Sequence, residues 1–339
     1  MFDRFLNILI INNGHHNLHV PLLINAFEDS NKVNLRVVHN HLKNTLNFFQ
    51  KLFYKLRLPL DLNKYNERIL SALKNFEPDL IIIIKGNDVY PKTIKKIKSI
   101  NPSIKIISWT GDHMLKRHNS SIYFKNAIPL YDIHFTSKSN AIEGLYLKGA
   151  KKVIFLNKAY YKKLHFHEIN HNLKYDVIFI GSFEEPRYNS IKFLSENGIT
   201  VNVFGNGWDH LNSTQNLIIH KYPLEGSKYR QAISSSKVNL HFLRKANDDF
   251  QTDRTMEIPA CMGFLLAERT KEHIKLFIEN EEAVFFNSDA ELLQKVKYFL
   301  KNENKRKKIA KSGFKRVTRS DYSYEKMIEK IIKSCFENE

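Results

Sequence analysis

Short apolar runs alternate with amphipathic segments along most of the chain. The run Leu80–Ile84 is apolar at every position, as expected for a strand covered on both faces of a parallel sheet. The segments between such runs repeat apolar residues at helical spacing. The alternation predicts an α/β protein with two doubly wound, Rossmann-like domains. The other predicted strands are residues 5–11, 33–38, 104–109, 131–136, 153–156, 176–180, 200–204, 217–220, 238–242 and 264–267.

The 339 residues are enough for two domains, each with its own core. We predict a first domain over residues 1–160, a linker over 161–174 and a second domain over 175–320. Residues 321–339 are predicted to form a final helix, and the family resemblance described below implies that it packs back on the first domain.

Composition narrows the class of protein. Hydrophobic residues make up 42% and charged residues 26%, which is typical of a folded chain. Two cysteines exclude a disulfide framework. The first apolar stretch is too short for a signal peptide, and no run reaches the roughly 18 to 20 apolar residues of a membrane span. We therefore expect a cytoplasmic protein, soluble or peripheral at the inner face of the membrane.

The net charge of +18 favours an anionic partner, although Lys-rich, AT-type codon usage explains part of it. Residues 42–58 form a predicted basic helix with several phenylalanines. Such a helix either packs on its sheet with its lysines in water, or lies on an anionic membrane.

The stretch from Asp253 to Glu268, DRTMEIPACMGFLLAE, predicts a helix that leads through a tight turn into a buried strand. Asp253 is the predicted N-cap, with its carboxylate accepting from the first free backbone N–H groups. Gly263 is predicted to be the left-handed residue that ends the helix.

Two charged residues in this stretch suggest a ligand. Arg254 at a helix start opposes the macrodipole unless an anion such as phosphate lies nearby. Glu257, about one turn later, can accept two hydrogen bonds from the vicinal diol of a ribose. The local pattern alone also fits a surface arginine and a solvated glutamate.

The run Arg254, Glu257, Ala260, Cys261, Gly263, Phe264, Leu265, Leu266 resembles the signature of CgeB-like, spore-maturation-type glycosyltransferases. These belong to the GT-B nucleotide-sugar transferases and carry a C-terminal domain like that of group 1 glycosyl transferases. The resemblance covers the C-terminal half well and the N-terminal half in outline. It implies a GT-B fold and transfer of a sugar from a nucleotide diphosphate to a glycan, lipid-linked or protein acceptor in surface-glycan biosynthesis.

The resemblance and the strand ends together define a predicted donor site in the second domain. Four cations are expected to converge there on a diphosphate, and the segment near Tyr222 is where GT-B enzymes hold the nucleobase. The predicted donor-binding residues are Gly181, Ser182, Arg187, Tyr222, Arg244, Lys245, Arg254, Thr255 and Glu257.

Related retaining enzymes carry a Glu-x7-Glu pair, and Glu257 matches its second member. The first member is replaced by the shorter Asp249. This gives a weak preference for retention of configuration. An inverting enzyme requires a general base, for which Asp112 or His113 is the candidate.

Asp112 and His113 follow a predicted strand of the first domain, at the edge where open α/β sheets bind ligands. The loop after the first strand carries Gly14, His15 and His16. The resemblance places that loop near the acceptor or the donor phosphate, whereas taken alone it is an ordinary polar loop.

His165, His167 and His171 lie in the predicted linker without a cysteine or carboxylate pattern that would complete a metal site. We expect no bound metal and no cofactor other than the nucleotide-sugar co-substrate.

Two other classes of function stay open at this stage. A basic nucleic-acid-binding protein would explain the charge, but no helix-turn-helix, RNP or zinc motif is present, so we expect no nucleic-acid partner. A GT-B protein that binds a nucleotide sugar or glycan without turnover fits the same residues.

Overall fold

A computed structural model of the chain describes residues 5–12, 19–30, 32–40, 48–61, 63–168 and 172–336. The chain divides into two compact units. The first unit runs to Asn157 and also includes the chain from Met327 onward. The second unit is Lys158–Lys326.

The first unit is built on a parallel six-stranded sheet of order β2-β1-β3-β4-β5-β6. Its central strands are apolar at nearly every position, which allows helices to cover both faces. The strands are β1 Leu6–Asn12, β2 Val33–His39, β3 Leu80–Ile84, β4 Lys105–Thr110, β5 Ile133–Thr136 and β6 Val153–Phe155. The helices are α1 His19–Glu28, α2 Phe48–Lys55, α3 Tyr65–Ala72, α4 Pro91–Ile100, α5 Ile122–Ala127 and α6 Ile142–Leu147.

The helix predicted over residues 42–58 is described only in part. Helix α2 ends at Lys55, and Arg57 has a left-handed φ of 63°, which ends the helical path before residue 58. Residues 41–47 lie outside the described part of the chain.

The second unit contains another parallel six-stranded sheet, of order β12-β11-β10-β7-β8-β9. Counted from β7, this is the Rossmann order 3-2-1-4-5-6 read from its other end. The strands are β7 Tyr175–Ile180, β8 Val201–Phe204, β9 Leu217–His220, β10 Ser236–His241, β11 Leu265–Glu268 and β12 Val284–Phe286. The helices are α7 Glu185–Glu196, α8 Gly226–Ser234, α9 Arg254–Ala260, α10 Lys271–Leu276, α11 Asp289–Lys301 and α12 Glu303–Arg319. Helix α13, Tyr324–Phe336, follows α12.

Two apolar clusters cover the two faces of the second sheet. One contains Val177, Trp208 and Leu240, and the other contains Ile178, Met256 and Phe285. Because successive strand residues point to opposite faces, β7 supplies both clusters from adjacent positions. Helices α7 and α11 pack against one face, and α8 and α9 against the other.

Candidate functional site in the second unit

The strand order of the second sheet identifies where a ligand would bind. β7 and β10 are hydrogen-bonded parallel neighbours. Successive strands are added on one side of this pair as β8 and β9, and on its other side as β11 and β12, so the strand order reverses here. Open α/β sheets bind ligands at the carboxyl ends of the two strands at such a switch point. Gly181 and Ser182 follow β7, and Arg244 and Lys245 lie three and four residues after the last residue of β10. Several predicted donor-binding residues therefore share this edge.

Helix α9 begins at Arg254. Asp253 occupies the N-cap position, but its carboxylate makes no capping hydrogen bond, so that part of the prediction is wrong. The Tyr324 hydroxyl donates to Asp253 Oδ1 at 3.3 Å, and Lys158 Nζ lies 3.3 Å from Oδ2. Because Asp253 is buried, its carboxylate serves these partners rather than the helix end.

The turn after α9 also differs from its prediction. Met262, not Gly263, has the left-handed φ, at 58°. The Met262 amide donates to Pro259 O and the Gly263 amide to Ile258 O, which together form a Schellman motif. Gly263 is required for packing, because a Cβ there would lie 2.5 Å from Ile233 Cγ2.

Glu257 lies on α9 in a buried polar network. The Tyr229 hydroxyl of α8 donates to Glu257 Oε2 at 2.7 Å, and His165 Nε2 lies 3.8 Å from Oε1. His165 Nδ1 accepts from the Tyr161 amide at 3.1 Å. A neutral ring therefore carries its proton on Nε2, on the side of Glu257.

Burial decides the protonation of this network. It lowers the pKa of His165 to about 4, although Asp253 opposes the shift, so the ring is neutral at pH 7. Burial, and after it the Glu257 charge, raise the pKa of Tyr229 well above its usual value. Tyr229 is thus a fixed donor to Glu257.

Neither His165 nor Tyr229 was predicted as a site residue. His165 belongs to the segment predicted as a linker and considered only for metal binding, yet it is 3% exposed and lies in the second unit. Tyr229 lies 28 residues before Glu257 on another helix, and no local pattern connects them. Only the packing of α8 beside α9 brings the pair together.

Arg187 is a buried cation at the start of α7. Its Nη1 donates to Ser182 O at 3.0 Å, and its guanidinium lies 5.8 Å from the Phe179 ring centroid. Burial lowers the pKa of Arg187 to about 10; Glu184 opposes this, and the charges of Arg254 and Arg244 add to it. Arg187 and Arg254 lie in the first turns of α7 and α9, the helices that follow the neighbouring strands β7 and β10, and at pH 7 Arg187 remains charged.

The two inner arginines have unfilled hydrogen-bonding capacity. Arg187 Nε and Arg254 Nε are both buried without a hydrogen-bond acceptor. Buried N–H groups almost always have partners, so two unfilled ones on neighbouring cations indicate a place for an anionic ligand.

The two outer cations are paired already. Arg244 Nε donates to Glu184 Oε1 at 3.1 Å, and Lys245 Nζ to Glu268 Oε1 at 2.7 Å. Their side chains are 58% and 62% exposed. Both outer cations are therefore exposed and already paired with a carboxylate.

His241, the last residue of β10, was not predicted as a site residue. Its ring is fully buried, and Nε2 lies 2.7 Å from Thr252 Oγ1. Burial lowers the pKa of His241 well below its usual value, and His273, Arg254 and Arg187 add to the effect. Nδ1 has no hydrogen-bond partner. The ring is therefore a neutral group beside the two inner arginines.

The other predicted donor-site residues have varied surroundings. Asp249 is buried and accepts from Asn247 Nδ2 at 2.7 Å, and its charge acts on Arg187. The Thr255 hydroxyl is fully buried, accepts from the Thr252 amide and lies 3.1 Å from His273 Nε2. Thr255 thus holds the turn before α9 together.

Gly181 and Tyr222 lie just after strands β7 and β9. A Cβ on Gly181 would lie 2.6 Å from Phe179 Cζ, so packing alone already requires glycine there. The Gly181 carbonyl accepts from Trp208 Nε1 at 2.9 Å. Tyr222 is 53% exposed, and its ring lies 5.8 Å from Phe204, edge to face.

The predicted catalytic pair of the first unit follows β4. Lys85 Nζ lies 2.6 Å from Asp112 Oδ2, which joins the ends of neighbouring strands β3 and β4. The His113 carbonyl accepts from the Lys116 amide. The predicted acceptor-side residues Gly14, His15 and His16 lie outside the described residues.

Within the described ranges, no three His, Cys, Asp or Glu side chains are grouped so that they could hold a metal ion. In the same part of the chain, no helix is long and apolar enough to cross a membrane.

Part of the chain matches a model of a known protein family. Residues 187–333 match the family model described as glycosyl transferase-like. This part of the chain therefore carries a glycosyl transferase-like domain, as predicted. Comparison with curated protein sequences gives no significant match.

Solved structures agree over nearly the whole chain. HepE from Anabaena, in complex with UDP-glucose, aligns with a TM-score of 0.66 and 11% identity, covering 97% of this chain and 100% of HepE. Sucrose-phosphate synthase from Thermosynechococcus elongatus aligns at 0.67 and 11%, covering 98% and 100%. A glycosyltransferase from Rickettsia africae aligns at 0.68 and 12%, covering all of both chains. The predicted GT-B fold is confirmed.

Proposed function

We propose that this protein transfers a sugar from a nucleotide diphosphate to an acceptor, as predicted for a CgeB-like glycosyltransferase. The observation that carries the proposal is the pair of neighbouring arginines, Arg187 and Arg254, whose buried Nε–H groups lack acceptors at the β7–β10 switch point. Two cations with unfilled donors suit the oxygens of a diphosphate.

The two arginines would also stabilise the leaving group of the transfer reaction. When the glycosidic bond breaks, negative charge develops on the departing diphosphate, and fixed cations stabilise it more than they stabilise the intact donor. We infer from this that transfer does not need a divalent ion. Unchanged turnover in excess EDTA is the expected result, and activity restored only by Mg²⁺ or Mn²⁺ would contradict it.

Glu257 is proposed to bind the ribose. A carboxylate offers about four acceptor positions, so Glu257 can accept ribose hydroxyls in addition to the Tyr229 hydrogen bond. Tyr229 and His165 fix the carboxylate, which lowers the entropy cost of binding the sugar. Since HepE was crystallised with UDP and with UDP-glucose, uracil nucleotides are the first donors to test.

The stereochemical outcome is proposed to be retention. Asp249 is buried and its charge acts on Arg187, which suits a group near the donor. NMR assignment of the anomeric configuration of the product tests this. Inversion would instead favour Asp112 or His113 as a general base.

The acceptor is proposed to be a surface glycan or a lipid-linked precursor. In helix α2, Phe48, Leu52 and the following Leu56 are 76%, 42% and 55% exposed, with Lys55 and Arg57 beside them. Apolar and basic groups together suit an anionic membrane surface. Co-sedimentation with phosphatidylglycerol vesicles is expected, and equal binding to neutral vesicles or none would contradict it.

A thermal-shift panel of nucleoside diphosphates and nucleotide sugars tests the central proposal. Selective stabilisation by one base is expected. Glu257→Gln, which keeps an acceptor for Tyr229, and Arg254→Met should each weaken binding about tenfold or more, since a hydrogen bond to a charged group contributes about 1.5–3 kcal/mol.

Lys237→Met is the matched control, because Lys237 pairs with Asp176 at the opposite end of the sheet, where β7 and β10 begin. It should bind nucleotide like the wild type. No shift with any nucleotide, or equal losses in all three variants, would overturn the proposed donor site.

A further inference from the structure

His241 combines three properties that the donor site does not yet explain. It ends β10, one of the two strands at the switch point. It is fully buried, so its polar atoms have no access to water. Its Nδ1 has no hydrogen-bond partner, and the inner arginines are close enough for their charges to act on the ring.

The neighbouring hydroxyl leaves the position of the ring proton adjustable. Nε2 lies 2.7 Å from Thr252 Oγ1. A threonine hydroxyl both donates and accepts, so it satisfies Nε2 in either tautomer. When the Thr252 hydroxyl donates to Nε2, the neutral ring carries its proton on Nδ1 and presents an N–H group.

His273 shows the alternative, in which a histidine is fully committed. Its Nδ1 lies 2.7 Å from Glu268 O, which can only accept, so Nδ1 carries the proton. Its Nε2 then accepts from the Thr255 hydroxyl. His273 therefore has a partner on both nitrogens, whereas His241, 5.4 Å away between ring centroids, has a partner on one.

An N–H on Nδ1 would join Arg187 Nε and Arg254 Nε as a third buried donor without an acceptor. Buried donors are costly unless they are satisfied, and a shared oxyanion would satisfy all three at once. Two of them bring positive charge. The His241 N–H would orient the oxyanion without adding a third cation to an already positive site.

Building on the proposed function, we infer that His241 is a binding residue of the donor site. Its neutral imidazole donates from Nδ1 to a diphosphate oxygen, with the tautomer set by the Thr252 hydroxyl. It would recognise the diphosphate and not the nucleoside.

Two substitutions separate the ring nitrogens. Asn places its amide nitrogen near the position of His Nδ1, whereas Gln reaches toward Nε2 and Thr252 but leaves the Nδ1 position empty. Calorimetry would measure the affinities of wild type, His241→Asn and His241→Gln for UDP, pyrophosphate and uridine. We expect His241→Gln to weaken UDP and pyrophosphate about tenfold and leave uridine unchanged. His241→Asn should stay within about threefold of wild type.

Equal affinities for UDP in wild type and His241→Gln would overturn the role of His241 while leaving the donor site standing. An equal loss of affinity for uridine and for UDP would also overturn it, because His241 would then maintain the structure of the site and not bind the diphosphate. Wild-type protein that binds neither UDP nor pyrophosphate would overturn the proposed donor site as well.

A tautomer measurement gives a second readout that does not need a variant. In long-range proton–nitrogen NMR spectra, UDP should move the His241 Nδ1 signal to that of a protonated nitrogen, with the ring still neutral. A ring that keeps its proton on Nε2 when UDP is bound would contradict the inference.

Discussion

The carboxyl edges of the two parallel sheets use their charges differently. In the first unit, Lys85 and Asp112 project from neighbouring strand ends and pair at 2.6 Å. In the second, Arg187 and Arg254 lie together, and each retains a buried Nε–H without an acceptor. The first arrangement is neutral as it stands, whereas the second keeps the unfilled donors that we propose an anion completes. A charged side chain at a strand end therefore indicates a ligand site when its hydrogen-bond donors lack acceptors.

The strongest test of this comparison concerns Asp112. If it is the general base of an inverting reaction, Asp112→Asn should lower kcat about 10²- to 10⁴-fold without changing the nucleotide Kd. Lys85→Met removes the same ion pair but keeps the carboxylate, so its effect on kcat should be much smaller. Equal, small effects in both variants would mean that the pair is structural.

The next test concerns how Glu257 is held. Tyr229→Phe removes a buried donor to a carboxylate and should lower the free energy of unfolding by about 1–3 kcal/mol. Urea unfolding measures this. Tyr222→Phe is the control, since Tyr222 is 53% exposed and should unfold like the wild type. Equal stability of both variants would show that the Tyr229 hydrogen bond contributes little.

Acid should affect the two units differently. Burial lowers the pKa of His165 and His273 to about 4, from about 6.5 in an unfolded chain. The unfolded second unit therefore binds more protons between those values, and its stability falls as the pH falls from about 6.5 toward 4. At pH 5.5 each histidine should cost about 1 kcal/mol relative to pH 7.5.

In the first unit, burial raises the pKa of Asp88 to about 6, opposed by its hydrogen bond from Asn40. Its contribution to stability is present at low pH and is lost as the pH rises from about 4 through 6. It therefore offsets the acid sensitivity of the buried His134, whose pKa burial lowers. Hydrogen exchange corrected for intrinsic rates at pH 7.5 and 5.5 should show loss of protection mainly in the second unit. Equal loss in both would contradict this.

The smallest expected effect concerns Lys245. Because its Nζ is paired with Glu268 at 2.7 Å and its side chain is 62% exposed, Lys245→Met should weaken nucleotide binding less than about threefold. A loss as large as that of Arg254→Met would show that Lys245 leaves Glu268 when the donor binds.

Much of the fold could be predicted because parallel strands covered on both faces are uninterrupted apolar runs. Residues 80–84 and 217–220 were predicted with the bounds that β3 and β9 have. β12, Val284–Phe286, was not predicted as a strand.

The local ends of α9 show where sequence patterns fail. Asp253 has a residue type that caps helices, but two partners distant in sequence bind its carboxylate. Gly263 has a residue type that ends helices, but Met262 takes the left-handed conformation. For Asp253, tertiary contacts that no local pattern reveals determined the role of the carboxylate.

The sequence by itself determined the two α/β domains, the strand ends and the arginines and carboxylates near them, because periodicity and residue type are local properties. Only the tertiary structure decided which of those charges are already neutralised. Lys245 and Asp112 form close ion pairs, while Arg187 Nε, 3.9 Å from Glu184 Oε2, and Arg254 Nε keep buried N–H groups without hydrogen-bond acceptors. It also added His165, Tyr229 and His241. Their positions depend on which helices and strands pack side by side. Hydrogen bonds between such elements produce no regular spacing of residues in the sequence, so a local pattern does not reveal them.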